Sequence, residues 1–153
     1  MPHRLKTCLA SALLVLGSAG APALAQPAAE DHAGVRAVLD RFYDGWNAHD
    51  VDKMVSIYAD DVDHINVFGE WHKGKAEIRQ DLAQLHSGPA RPGRKVHVIE
   101  KVRFLTPETA VVQGSSKSPA GLNLGTYMMQ KQRGTWLIVS FTNVVPSTPP
   151  YKK

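Results

Sequence analysis

Residues 64–86 read HINVFGEWHKGKAEIRQDLAQLH and contain three of the seven histidines of the chain. Together with the preceding residues 61–63, the start of this stretch reads DVDHINVF, in which side chains of different polarity alternate. The alternation predicts a strand that carries His64, Asn66 and Phe68 on one face. A turn at 69–74 is bounded by Gly69 and Gly74, which favour a chain reversal. Apolar residues then recur with the spacing of one helix face, at Ile78, Leu82 and Leu85.

Two helices are predicted before this strand. Apolar residues share one helix face at Val35, Val38, Leu39, Phe42, Tyr43 and Trp46. The segment NAHD at 47–50 ends this helix, and Asp50 can cap a short second helix. The apolar face of the second helix consists of Val51, Met54, Val55 and Tyr58.

Four strands in series are predicted after the loop SGPARPG at 87–93. They are KVHVIEKVRFL (95–105), TAVVQGSS (109–116), LNLGTYMMQKQ (122–132) and TWLIVSFTNVV (135–145). In the first of them, alternation places His97 on the same face as Lys101 and Arg103, so His97 is expected to be exposed. Helices that precede a run of strands favour an α+β domain with helices on one face of an antiparallel sheet.

The N-terminal residues are typical of a secretory signal peptide. Arg4 and Lys6 precede the apolar run CLASALLVLGSAGAPALA, which ends in Ala23-Leu24-Ala25. We expect cleavage after Ala25 and a soluble periplasmic or secreted protein with no membrane span after cleavage. The predicted organisation is a signal peptide at 1–25, a flexible lead-in at 26–33, one domain at 34–146 and a tail at 147–153.

Composition excludes several kinds of site. The only cysteine, Cys8, lies in the predicted signal peptide, so disulfides, thiol catalysis and thiolate metal sites are excluded. The net charge is +4, but the basic residues are scattered through strands, which argues against nucleic-acid binding. The spacing of His64, His72 and His86 matches no recurrent ligand pattern, so we expect no metal. Dinucleotide and flavin motifs are absent from the sequence, so we expect no cofactor.

Two segments carry a resemblance to a known family: WNAHDVDKMVSIYADDVDHINVFGEWHKGKAEI at 46–78 and RGTWLIVSFTN at 133–143. With the order of elements, they resemble the nuclear transport factor 2-like superfamily, its SnoaL-like branch, and within it the SgcJ/EcaC family. The resemblance implies a cone-shaped α+β fold in which N-terminal helices pack on a curved antiparallel sheet around a pocket. Because this fold hosts unrelated activities, it implies no particular reaction.

Ketosteroid isomerase, an enzyme of this superfamily, provides a test of one reaction. By the resemblance, its catalytic aspartate corresponds to Asn66 and its oxyanion-stabilising tyrosine to Phe42. An amide cannot accept the proton, and phenylalanine has no hydroxyl to donate. A shift of one residue brings Asp63 or Tyr43 near these roles, but with different side-chain directions. Ketosteroid-type isomerisation is therefore disfavoured, and the oxidoreductase label common in the SgcJ/EcaC family finds no support in the residues.

The implied pocket has nine predicted lining residues: Phe42, Trp46, His64, Asn66, Phe68, Trp71, His86, Tyr127 and Asn143. Trp71 is expected to cover the cone, and His86 to close the pocket opposite His64. His72 is expected to be solvated. Catalytic residues remain unknown, with His64 and His86 as candidates.

The leading hypothesis is an exported domain that binds a small, largely apolar or aromatic molecule. The alternative is an SgcJ/EcaC-type enzyme that acts on a small carbonyl compound with a histidine general acid/base. A homodimer through the sheet is also expected, because the strands carry apolar residues on both faces.

Overall fold

Helix α1, Ala29–Ala48, packs on a six-stranded sheet in a computed structural model that describes residues 28–147. The predicted α+β class is confirmed. The remaining elements are α2 (Val51–Val55), β1 (Tyr58–Ile65), β2 (Trp71–Lys73), α3 (Lys75–Ser87), β3 (Val96–Thr106), β4 (Thr109–Ser118), β5 (Gly121–Gln132) and β6 (Thr135–Val144).

Helix α1 begins earlier than the sequence pattern predicts. The flexible lead-in predicted for residues 26–33 is wrong for residues 29–33, which form the first turn of α1. The carboxylate of Asp31 anchors this turn, because it accepts hydrogen bonds from Lys131 Nζ at 2.7 Å and Trp136 Nε1 at 3.0 Å. These partners lie 100 and 105 positions away, where helical periodicity cannot reveal them.

The predicted signal peptide at 1–25 lies outside the described residues, as do 26–27 and residues 148–153 of the predicted tail. Across residues 28–147, no helix combines the length and apolar character needed to cross a membrane.

The turn from α1 into α2 is held by a side-chain cap. Asp50 accepts a hydrogen bond from the backbone N–H of Lys53 at 2.9 Å, which confirms the predicted cap. His49 adopts a left-handed backbone conformation with φ of 56°, and this reverses the chain direction. Helix α2 ends at Val55, and β1 begins at Tyr58, so Tyr58 belongs to the strand rather than to the predicted second helix.

The sheet is mixed rather than wholly antiparallel. Its strand order is β2-β1-β6-β5-β4-β3, and β1 runs parallel to β6 while the other neighbouring pairs are antiparallel. Parallel pairing joins strands that are distant in sequence, so no local pattern reveals it. Strand β2 forms where a simple turn was expected, and it pairs Trp71 with Ile65 and His72 with His64.

A bulge in β3 reverses the predicted faces of the first half of that strand. The pairing with β4 shifts after Ile99, where β3 contains one extra residue. Side chains before this residue therefore point to the opposite face from the one that simple alternation along the strand predicts. Val96 and Val98 therefore lie on the outer face, with exposures of 64% and 52%. The predicted exposure of His97 is wrong, because its ring turns inward and stacks on Tyr43 with centroids 4.3 Å apart.

A glycine pair makes room for the central aromatic residue of the inner face. Gly114 and Gly125 are cross-strand partners, and the ring of Tyr127 lies beside both of them. A Cβ at Gly125 would lie only 2.7 Å from the Tyr127 hydroxyl. The ring stacks on Phe141 with centroids 4.3 Å apart, and its hydroxyl lies 3.1 Å from that of Tyr43 on α1.

We expect Gly125→Ala to destabilise the protein by about 1–3 kcal/mol, because the added methyl group displaces the ring of Tyr127. The free energy of unfolding measured in urea tests this expectation. Thr126→Ala is the matched control, since Thr126 is the next residue and faces solvent; its effect should stay within about 0.5 kcal/mol. Equal stability of the two variants would contradict the packing role of Gly125.

Candidate functional site

A cavity of about 120 Å³ opens between α1, α3, the end of β1 and the ends of β5 and β6. Aromatic and aliphatic side chains from the helices face polar side chains from the strands and from the turn after β1. The lining residues are Phe42, Tyr43, Trp46, His64, Asn66, Val67, Phe68, Glu70, Asp81, Leu82, Leu85, Lys95, Asn123, Phe141 and Asn143.

The α1 wall is fixed to the start of β3. Trp46 Nε1 donates a hydrogen bond to the carbonyl of Gly93 at 3.1 Å, and Lys95 Nζ lies 3.6 Å from the centroid of the indole ring. The amide of Asn47 pairs with the backbone of Lys95, with distances of 2.8 and 2.9 Å. Burial lowers the pKa of Lys95 to about 8. The ammonium group is thus held over the aromatic wall instead of extending into water.

His64 is the most unusual polar group of the cavity. It is only 6% exposed, and neither ring nitrogen has a hydrogen-bond partner among the described residues. Its ring stacks on Phe141 with centroids 4.7 Å apart. Burial, followed by repulsion from His72, lowers the pKa of His64 to about 4. The imidazole is therefore neutral near pH 7 and offers one N–H donor and one nitrogen acceptor.

Asn66 lines the cavity, but its amide is already engaged in the β1–β2 turn. Its Oδ1 accepts hydrogen bonds from the backbone N–H groups of Phe68 at 2.9 Å and Glu70 at 3.1 Å. Its Nδ2 donates to Glu70 Oε2 at 2.7 Å. Asn66 thus shapes the mouth of the cavity, and it has little hydrogen-bonding capacity left for a ligand.

Of the nine residues predicted to line a pocket, the structure places six around this cavity: Phe42, Trp46, His64, Asn66, Phe68 and Asn143. The other three do not line it. Trp71 is 57% exposed and donates its indole N–H to Asp63 at 2.8 Å, so it is not a cover for the cone. Tyr127 is buried beneath Phe141. His86 lies beside Trp46, and its Nδ1 is 2.8 Å from Nδ1 of His49, so it does not close the pocket.

The places of His64, His86 and Asp63 relative to the cavity show which of them could act on a molecule bound there. His86 does not line the cavity, so its position gives no support to a role as a cavity acid or base. His64 does reach it, but the described residues give it no carboxylate or hydroxyl partner of the kind that orients a general base. Phe42 and Asn66 both face the cavity, while Asp63 is exposed and bonded to Trp71. The exposed position of Asp63 agrees with the expectation that it does not take the place of the isomerase base.

Several lining residues were missed by sequence reasoning. Lys95 directly precedes β3 and Phe141 lies in β6, and the facing of both strands depends on bulges, which alternation alone does not show. Asp81 did carry a signal, because it lies three residues after Ile78 and therefore on the inward face of α3. A charged residue on such a face is usually dismissed as a break in the apolar pattern.

A second polar cluster lies at the mouth of the cavity. His72 is 3.7 Å from a carboxylate oxygen of Asp81 and 3.3 Å from the amide nitrogen of Asn66. Its side chain is only 16% exposed, so the predicted solvated position is wrong. One ligand atom each from Glu70, His72 and Asp81 lies within 4.8 Å of the others.

A larger depression, of about 580 Å³, lies on the other side of α1 and includes Asp31, Lys131 and Trp136. Lys131 and Trp136 both donate hydrogen bonds to Asp31, so these polar atoms already have partners. It is also more open to solvent, so the smaller cavity is the better candidate for a binding site.

Acid should destabilise the protein through its buried histidines. Burial first, and for His86 then the neighbouring His49, lowers the pKa of His64 and His86 from 6.5 to about 4. Their contribution is complete above pH 6.5 and is lost as the pH falls towards 4, because the unfolded chain binds these protons more readily. Each histidine adds a slope of at most about 1.4 kcal/mol per pH unit.

The measurement is the free energy of unfolding between pH 7 and 4 for the natural chain, His64→Phe and His32→Gln. His64→Phe should flatten the slope, whereas His32→Gln removes an exposed histidine and should preserve it. Identical slopes for the natural chain and His64→Phe would refute the buried neutral state of His64.

Comparisons with known proteins agree with this architecture. A structure of a domain of unknown function with a cystatin-like fold from Nostoc punctiforme superimposes with a TM-score of 0.72 at 21% identity, over 79% of this chain and 80% of that one. An NTF-2 like protein of unknown function from Shewanella oneidensis gives a TM-score of 0.65 at 16% identity, over 75% of this chain and 99% of that one. A ketosteroid isomerase-like protein from Erwinia carotovora atroseptica gives a TM-score of 0.65 at 16% identity, over 79% of this chain and 100% of that one.

At these identities the structures establish the fold alone, which is the cystatin-like or nuclear transport factor 2-like fold that the sequence predicts. The search of curated proteins found no match. The family model described as SnoaL-like domain matches residues 39–127, which is more than half of the 153-residue chain. The chain therefore belongs to the SnoaL-like domain family.

Proposed function

We propose that this protein binds a small aromatic molecule that carries one hydroxyl-type polar group. The observation that carries the proposal is the buried imidazole of His64, which has no partner within the described part of the chain and lies in the wall of an aromatic cavity. A buried polar group without a partner is unfavourable by about 1–3 kcal/mol, and a ligand that pairs with it recovers this loss. The enzymatic alternative is not favoured, because no second group among residues 28–147 completes an acid/base pair with His64.

The volume of the cavity limits the size of the ligand. Pockets for drug-sized molecules measure about 300–1,000 Å³, whereas an apolar cavity of about 150 Å³ holds benzene. A cavity of about 120 Å³ is therefore suited to a single ring or a branched chain of similar size. A steroid does not fit, which agrees with the lack of isomerase residues at Phe42 and Asn66.

The polar groups of the cavity limit its chemistry. A neutral imidazole can both donate and accept a hydrogen bond, which matches the donor and acceptor of a hydroxyl group. Lys95 on one side and Glu70 with Asp81 on the other place opposite charges at the rim. The carboxylates outnumber the ammonium group, so the lining disfavours an anionic ligand. The proposed ligand is a neutral molecule whose ring packs against Phe42, Trp46 and Phe141.

The test is a thermal-shift and calorimetric series with phenol, toluene and 2-naphthol. Phenol should bind and stabilise the protein, by about 2.7 kcal/mol when its concentration is 100 times Kd. Toluene should bind about threefold to tenfold more weakly, because it lacks the hydroxyl that pairs with His64. 2-Naphthol should bind weakest, since it exceeds the cavity.

His64→Phe should remove the preference for phenol over toluene, while His32→Gln should retain it. Equal binding of the three compounds, or none, would contradict the proposed ligand class. An unchanged preference in His64→Phe would show that another group recognises the hydroxyl.

We also propose that the protein is exported to the periplasm or secreted. The support is the basic start at Arg4 and Lys6, the apolar run and the Ala23-Leu24-Ala25 end. Within the SnoaL-like family we propose the SgcJ/EcaC group, supported by the motif at 46–78 and the hairpin at 133–143.

A homodimer through the outer face of the sheet is proposed for the same chain. Cross-strand register aligns one outward row across four strands: Val98, Ser115, Leu124 and Val144. The three apolar members are 42–52% exposed, and Val96 and Leu122 continue the patch. A second copy related by a two-fold axis would cover this row with an identical one.

Leu124→Asp should shift the chain to monomer, because it places a charge in the centre of the patch. Sedimentation equilibrium measures this, with at least about tenfold weaker association expected. Gln130→Asp is the matched control, since Gln130 is outward-facing on the same strand but outside the apolar row. A natural chain that remains monomeric at tens of micromolar, or a Leu124→Asp variant that still dimerises, would refute the proposed interface.

A further inference from the structure

We propose that Glu70, His72 and Asp81 bind a divalent transition-metal ion, with Zn²⁺ as the probe of choice, at the mouth of the cavity. One ligand atom from each side chain lies within 4.8 Å of the other two. Two segments supply them: the β1–β2 hairpin, which carries Glu70 and His72, and the second turn of α3, which carries Asp81. The ion would therefore tie the β1–β2 turn to α3.

The distances and charges suit such an ion. Zn²⁺ binds nitrogen and oxygen ligands at about 2.0–2.2 Å, so two neighbouring tetrahedral ligands lie about 3.4 Å apart. The separation of 3.7 Å between His72 Nε2 and Asp81 Oδ2 is close to that value. Two carboxylates and a neutral imidazole offset the charge of a divalent ion, and three protein ligands leave one coordination position for water.

An independent feature of the cavity points to the same place. His64 is 94% buried, lines the same cavity as Glu70 and Asp81, and has no partner for either ring nitrogen among the described residues. Its ring centroid lies 5.8 Å from that of His72. A metal-bound water beside His72 would give His64 the hydrogen bond that the protein does not supply.

Asn66 supports Glu70 from the turn. Its Nδ2 donates to Glu70 Oε2 at 2.7 Å. Groups that hydrogen-bond to metal ligands restrict their orientation and raise affinity. Asn66 is thus a positioning residue for Glu70, whereas its 3.3 Å contact with His72 Nε2 is exchanged for the ion when that nitrogen binds it.

This proposal departs from the sequence-based expectation of no metal. That expectation considered His64, His72 and His86, and the structure does not bring His86 to the other two, because it packs beside Trp46. The cluster instead combines one histidine with two carboxylates. The competing explanation is a His72–Asp81 ion pair without metal.

The experiment is isothermal titration of the full chain with Zn²⁺ alone, compared with Glu70→Gln, His72→Gln and Asp81→Asn. We expect one ion per chain, and each of the three variants should bind at least about tenfold more weakly. The matched controls Asp61→Asn and His32→Gln remove exposed groups of the same types and should bind as the natural chain does. The visible spectrum of added Co²⁺ should report nitrogen and oxygen ligation and should change in His72→Gln.

Lack of Zn²⁺ binding up to about millimolar concentration, or equal affinity in the natural chain and all three ligand variants, would overturn the metal site and leave the ion pair. Thermal unfolding in the presence of a chelator verifies that each variant is folded. Because three ligands are substituted separately, the test still works if one variant does not fold. Phenol binding measured in the same chelator tests the cavity by itself, so failure of one proposal is distinguishable from failure of the other.

Discussion

The hydrogen bond between the hydroxyls of Tyr43 and Tyr127 sets the separation of helix α1 from the sheet. The two oxygens lie 3.1 Å apart in the buried interior. Tyr127 reaches this position only because Gly114 and Gly125 leave space for its ring. Phe141 stacks on that ring, and the cavity lies above Phe141. The floor of the site is thus built on one polar contact and two residues without side chains.

Most buried polar groups around this core have partners. Asp31 is satisfied by Lys131 and Trp136, and the backbone of Lys95 is satisfied by Asn47. Against that background the two ring nitrogens of His64, like Nε2 of His86, have no partner among residues 28–147, and buried exceptions in native proteins require a reason. The two proposals, a ligand hydroxyl inside the cavity and a metal-bound water at its mouth, would each provide one.

The cavity combines two chemical environments within one small volume. Its inner wall is aromatic, whereas its mouth holds the carboxylates of Glu70 and Asp81. The separation follows from the topology, since α1 and β6 supply rings while the β1–β2 turn and α3 supply charges. Charged groups at the mouth keep access to water and are less costly there than beside Phe42 or Phe141.

The sequence alone determined the α+β class, the four-strand run and the amphipathic faces of α1 and α3, because periodicity reports which residues share a face. It also placed Phe42, Trp46, His64, Asn66, Phe68 and Asn143 together, with the help of the family resemblance. The tertiary structure decided which distant residues each side chain contacts and which face of a strand a side chain occupies after a bulge. The bulge in β3 turned His97 inward, and the parallel β1–β6 pairing made the sheet mixed. Trp71 bonds to Asp63, His86 to His49 and Tyr127 to Tyr43, and these contacts hold the three side chains outside the cavity. Alternation specifies a face only until an extra residue shifts it, and a side chain's partner across the sheet leaves no trace in its neighbours along the chain.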